Sequence, residues 1–265
     1  MPGGGIHHPR PVFALKTPSR RKIERTQALR TQWTSSDRLL GKRSCYTQFG
    51  LSMAYVPTMA AGVVAVGGFN APIRDPYQAV MELLIFPSAV ALVVAFAALH
   101  AYAPAPKKTL SLSALVLVAL MAGITMCVHV IVLTVGRQAN EATLPGFEML
   151  FSWTWPSMIY ALDIVAWDFC LGVALLLAAA VFSGSRLAVW VRRGLIISGL
   201  LCLGGLLGAV LGDMNVRNIG VLGYAFVLPV VMLQMGRLFA ATPATDDRAA
   251  AGPGQRTEAI AMTDQ

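Results

Sequence analysis

Charge is what this sequence has little of. Only 13% of its 265 residues are Asp, Glu, Lys or Arg, against about 25% in soluble globular chains. Hydrophobic residues make up 56% and the mean hydropathy is +0.63, so the missing charge has been replaced by apolar runs, the signature of a polytopic membrane protein. Cysteine is scarce as well. Cys45, Cys127, Cys170 and Cys202 form no CxxC pair, which argues against a disulfide framework or a thiolate metal site. Three of them fall inside apolar segments, where a thiol behaves as a small hydrophobe. The chain has no Walker loop, no GxSxG, no dinucleotide fingerprint, no HxxxH and no HExxH, so the usual signatures of soluble enzymes and zinc sites are absent. No long internal repeat is present.

The net charge of +8 is unevenly placed. Residues 1–44 carry ten Lys/Arg against Glu24 and Asp37, whereas the other 221 residues carry eleven basic and eleven acidic side chains. The basicity therefore belongs to an N-terminal arm and does not suggest a nucleic-acid partner. That arm lacks the apolar core of a secretory signal. It reads as a disordered tail, with three alternatives open: an organellar transit peptide, a cytoplasmic arm touching anionic lipid, or a start codon set too early. Residues 240–265 are polar and small and read as a second disordered tail.

Between the tails, residues 45–239 read as one all-α domain of six transmembrane helices. The spans are about 48–69, 77–103, 110–136, 156–182, 194–211 and 218–239, each long enough to cross roughly 30 Å of hydrocarbon. Asp75-Pro76 and Pro156 open spans two and four, an acid cap and first-turn prolines. Pro87 and Pro229 lie inside spans two and six, where kinks are expected. Lys and Arg divide 18 to 3 between the two sets of connections and tails, which places both termini in the cytoplasm. The expected location is a bacterial inner membrane, with the lipid bilayer as the first partner. In the connection from Arg137 to Trp155, Phe147, Leu150, Phe151 and Trp155 share a helical face. They suit either a short interfacial helix or an aromatic belt.

The informative residues are polar ones in apolar surroundings. The stretch Trp153–Gly172 begins with interfacial aromatics and then carries Asp163 and Asp168 into a membrane helix. An ionised side chain at the centre of such a helix costs about 2.5–3.5 kcal/mol on insertion scales. Glu82, His129 and Asp163 all fall within roughly 7–11 Å of the outer boundary, counted along their spans, and Asp168 lies near mid-membrane. Arg137, Asp213 and Arg217 are charges of the outer face. Glu82, His129, Asp163 and Asp168, with Tyr160 and Trp167, describe a candidate polar pocket built by spans two, three and four, open outward, for a small molecule, an ion or a lipid headgroup. The competing reading is a salt-bridge network that only fixes packing. Five residues apart on an ideal helix, Asp163 and Asp168 differ by about 140° in direction. Tyr160 and Trp167 go with Asp163, and a catalytic dyad of the two aspartates is disfavoured. His129 and His100 lie at opposite depths and cannot share a haem, so no cofactor is expected. Gly204, Gly208 and Gly212, four apart in span five, form a small-residue ridge. It serves packing inside the monomer or, alternatively, a homodimer.

The runs 75–104, 122–138, 161–182 and 212–229 resemble a family of uncharacterised bacterial six-helix integral membrane proteins. The resemblance covers roughly residues 50–239 and excludes both tails. It implies the fold, assigns no activity, and family members often carry Glu at the position of Asp163. The leading functional reading is a non-enzymatic carrier or sensor component that binds a small ligand or lipid. An intramembrane enzyme acting on a lipid or quinone through Glu82, His129 and Asp163, and an assembly partner, are the alternatives.

Overall fold

The computed structural model describes residues 33–68, 71–140 and 142–250, the last three by backbone alone. Among these residues every regular element is helical. The first is α1 (Ser35–Ala65), followed by α2 (Tyr77–Tyr102) and α3 (Lys108–Gln138). A short α4 (Phe147–Phe151) precedes α5 (Met158–Ala179) and α6 (Arg186–Leu211). The chain continues in α7, which runs through Met214–Val221, Leu222–Val227 and Leu228–Ala241, and ends in α8 (Thr245–Ala250).

Of the described helices, α2, α3, α5, α6 and α7 are long and apolar enough to cross a membrane. Their outer surfaces agree with that: Leu83, Val116, Leu120, Ile197, Leu207 and Val210 are all exposed. In water so wide an apolar surface would aggregate; against lipid it is the ordinary solvent-facing side. Local chemistry sets the ends. Asp75 Oδ1 accepts the Ala79 amide at 3.2 Å, so it caps α2 as expected, although Pro76 stands just before the helix rather than at its first position. Ser157 and Ser185 cap α5 and α6 by accepting the amides of Tyr160 (3.3 Å) and Ala188 (3.2 Å).

The long helices stand in a closed ring. Each packs on the next in chain order, α1 on α2, α2 on α3, α3 on α5, α5 on α6 and α6 on α7, and α7 returns to α1. Phe96, Leu92, Leu171, Leu175, Leu195 and Met232 fill the interior. The glycine ridge of α6 packs inside the chain, but on a different register from the one expected. A Cβ at Gly208 would lie 2.1 Å from the Arg217 amide nitrogen, so α6 and α7 meet backbone to backbone there. Gly204 makes only an ordinary contact with Ile219, and Gly212, at φ 70°, is the left-handed cap that ends α6.

The expected tails need correction where the structure describes them. Residues 33–44 are not a disordered arm: α1 begins at Ser35, thirteen residues before the expected first span. Thr34 and Asp37 form a capping box, and Trp33 is only 1% exposed. Trp33 packs on Tyr102 and Phe239 (ring centroids 5.3 Å for each) and donates its indole N–H to the Thr242 carbonyl at 3.3 Å. Residues 240–250 are also ordered against it. The Thr245 amide and hydroxyl both donate to the Trp33 carbonyl at 2.8 Å, Ser35 bonds Asp246, and Arg38 pairs with Asp247 at 2.6 Å. One aromatic residue and one cap hold both ends of the described chain to the ring. The rest of the expected tails, 1–32 and 251–265, lies outside the described residues.

Candidate functional site

The polar groups gather where α2, α5 and α7 begin and α3 ends. Glu82 is five residues into α2, Asp163 five into α5 and Arg217 three into α7. Antiparallel neighbours bring these levels together, and His129 of α3 completes the set. Every one of them is buried: Glu82 4%, His129 6%, Asp163 8%, Asp168 0% and Arg217 5% exposed.

Their order in space is a chain. His129 Nδ1 pairs with Glu82 Oε2, and its other nitrogen, Nε2, lies 3.7 Å from Asp163 Oδ1. Arg217 Nη2 donates to Asp163 Oδ2 at 3.5 Å, and Arg217 Nε is 3.4 Å from Asp168 Oδ2. Carboxylate, imidazole, carboxylate, guanidinium and carboxylate thus alternate across four elements. The three contacts at Asp163 and Asp168 are loose, well beyond the roughly 2.7–2.9 Å of a tight charge-assisted bond. His129 Nε2, both Asp168 oxygens and Arg217 Nε have no hydrogen-bond partner among the described residues.

Asp163 and Asp168 do meet a common partner, against the expectation from ideal helical angles. The reason is local. Between them α5 leaves α-geometry and Val165–Leu171 forms a π-segment. Hydrogen bonds there run from residue i to i+5, so residues five apart stack on one side instead of diverging. Arg217 reaches both carboxylates as a result. Helix α7 carries its own π-segment, Leu222–Val227, one turn after Arg217 and just before Pro229. Pro229 has no N–H to give the turn before it and crowds that turn, which the wider spacing relieves.

Tyr160 and Trp167, both expected at the site, are there. Tyr160 faces the guanidinium of Arg217 at 5.1 Å, and Trp167 packs on Tyr224 at 5.1 Å. Of the three expected outer-face charges, Arg217 is instead buried at the centre of the site, whereas Arg137 and Asp213 are exposed. Arg137 pairs with Asp75 on the surface, and Asp213 caps α7 through the Asn215 amide at 2.9 Å. Trp153, Tyr224 and Gly220 were not foreseen. Trp153 donates its indole N–H to Glu82 Oε1 at 3.1 Å, which ties the α4–α5 connection to the site. Its only sequence signal was its place at the edge of an apolar run. Gly220 lets α7 approach α5: a Cβ there would lie 2.1 Å from Asp168 Oδ1. His100 sits at the opposite end, bonded to Ser111 at 2.9 Å.

No family model, curated protein or solved structure matches the chain. The functional reading therefore rests on the geometry. Among the described residues no group of three or more His, Cys, Asp or Glu side chains is arranged to hold a metal ion. The imidazole is occupied between Glu82 and Asp163, and the guanidinium between Asp163 and Asp168. What the arrangement offers is a set of buried, incompletely bonded donors and acceptors lined by tyrosine and tryptophan.

Proposed function

We propose that the chain is a bacterial inner-membrane protein that crosses the bilayer six times with both termini cytoplasmic and binds a small polar ligand from the outer side. Five of the spans are the apolar helices described above; α1 would be the sixth, with its Gly- and Ala-rich second half in the membrane. The basic residues of α1's first turns, Lys107, Lys108, Arg186, Arg192, Arg193 and Arg237, lie at one end of the ring. That distribution supports the orientation, with the charged chain of α2, α3, α5 and α7 toward the outer face.

The observation that carries the binding role is Asp168. It is fully buried, and neither oxygen has a hydrogen bond among the described residues. A buried polar group left so costs about 1–3 kcal/mol, more when charged, and a network built only to lock packing would bond it. The other end of the ring supports binding over passage. There Trp33, Tyr102, Phe182 and Phe239 pack against one another, edge-on, tilted and stacked, at centroid distances of 5.3–5.9 Å. The polar chain has no continuation through them.

The test is to melt purified wild type, Glu82→Gln, His129→Ala, Asp163→Asn and Asp168→Asn in detergent, with and without a native polar-lipid and metabolite extract. A variant that melts like wild type but loses the extract-induced shift supports a binding site. If every variant melts early and the extract moves none of them, wild type included, the groups are packing devices and the reading fails.

A further inference from the structure

A second site lies at the other end of the ring, on its lipid-facing surface. A groove of about 440 Å³ runs between α1 and α2 and is floored by Met126 of α3. Phe86, Val90 and Val94 make one apolar wall, and Leu40, Arg43 and Thr47 of α1 line the other side. Arg43 is exposed and has no acidic partner among the described residues. Its level can be read from the packing. Gly41 lies against Ala98, and Gln48 accepts a hydrogen bond from Ser88 at 2.9 Å. Arg43 is therefore level with about residue 95 of α2, roughly 10 Å in from the helix end at Tyr102.

In the orientation proposed above, on which this inference rests, Arg43 stands at the cytoplasmic end of the ring, at the level where a basic side chain meets anionic lipid headgroups. A long cationic side chain there can lay its stem along apolar surface and keep its head in the polar interface. A guanidinium binds phosphate through two parallel N–H bonds. Below it the groove is apolar and elongated along the helices, the shape of an acyl chain. We infer that this groove binds an anionic phospholipid, with the phosphate on Arg43 and one acyl chain along Phe86, Val90 and Val94. The site is independent of the polar chain around Asp163 and Asp168.

The test compares phosphatidylglycerol with phosphatidylcholine of the same acyl chains, added to the full-length protein in a neutral detergent. Near a hundredfold excess over the dissociation constant, phosphatidylglycerol should raise the wild-type melting temperature by roughly 5–10 °C more than phosphatidylcholine does. Arg43→Gln should fold normally and lose that difference. Arg43→Lys should keep part of it, because the charge stays and the two-bond geometry goes. Val90→Trp fills the groove from an exposed position and should lose the shift with Arg43 intact, while Lys107→Gln should keep it. Equal shifts with the two lipids in wild type would mean the groove holds a neutral lipid or another segment of the chain, and would overturn the proposal. A full phosphatidylglycerol shift in Arg43→Gln would overturn it too.

Discussion

Arg217 is the residue on which the charged chain depends, and replacing it gives the sharpest test of how the chain is held. Its side chain is 6% exposed and is shared by Asp163 at 3.5 Å and Asp168 at 3.4 Å. Removing one partner of a buried ion pair costs about 3–5 kcal/mol, because the remaining charge is left uncompensated. For a chain of this size, about 2–4 °C of melting temperature goes with each kcal/mol. Arg217→Gln should therefore melt roughly 6–20 °C below wild type. Asp168→Asn should cost much less, since Arg217 keeps Asp163. In the double variant the uncompensated carboxylate at 168 is gone. Part of the Arg217→Gln loss should return, giving a coupling of about 1–3 kcal/mol in a double-mutant cycle. Differential scanning fluorimetry on the four proteins in one detergent reads this directly. A double variant whose loss equals the sum of the singles, within about 0.5 kcal/mol, would show that Arg217 and Asp168 do not act on each other. Lysine is not a substitute: Arg217→Lys has one point charge for two carboxylates and should recover only part of the stability.

Four further outcomes follow from the packing. Gly220→Ala puts a methyl 2.1 Å from Asp168 Oδ1 and should cost about 1–3 kcal/mol by overpacking; Asp168→Ala in the same chain should relieve most of that penalty, read as melting temperatures. Trp33→Ala should cost about 3–5 kcal/mol and make residues 242–250 sensitive to protease, because those residues bond to Trp33 and its neighbours. Arg38→Gln removes an ion pair whose side chains are 33% and 42% exposed; such pairs contribute about 0–1 kcal/mol, so this variant should melt close to wild type. Trp153→Phe keeps the ring and removes the N–H that bonds Glu82, and should cost about 1–3 kcal/mol and abolish any extract-induced shift that depends on Glu82.

Most of the helical plan was legible because it rests on long-range composition. Apolar runs bounded by Pro, Asp and Ser gave element positions to within a few residues at α2, α3 and α5. The same averaging failed at the ends of the chain. A window centred on residues 33–44 sees Asp37, Arg38, Lys42 and Arg43 and reads as polar. The structure is decided there by two features an average cannot see: one indole at Trp33 and a Thr34/Asp37 capping box. Likewise 240–250 is small and polar, yet Thr245 and Asp246 have specific partners more than 200 residues away. Long-range hydrogen bonds to a single residue leave no local trace. Helix α6 begins at Arg186, eight residues before the expected span. Arg192 and Arg193 looked like a boundary in an insertion scale, but charge at a helix end does not stop a helix.

The polar site shows the same division between depth and direction. Depth along a helix is a sum of many nearly equal steps, so an error at one turn moves it little. Counting residues along the spans therefore brings Glu82, His129 and Asp163 to a common level from the sequence alone. Direction around a helix has no such tolerance, because a single widened turn rotates everything beyond it. The two π-segments, Val165–Leu171 and Leu222–Val227, sit on the two helices that carry Asp163, Asp168 and Arg217. The one in α5 converts a divergent pair of carboxylates into one that a single guanidinium spans. A π-turn forfeits regular packing and hydrogen-bond geometry, and such turns are frequent at functional sites. If they were incidental, straightening α5 by deleting one residue between Asp163 and Asp168 would stabilise the protein. In the reading developed here it turns Asp168 away from Arg217 and leaves a carboxylate in the bundle with no cation beside it, so the shortened helix should destabilise the protein and abolish ligand-induced stabilisation together.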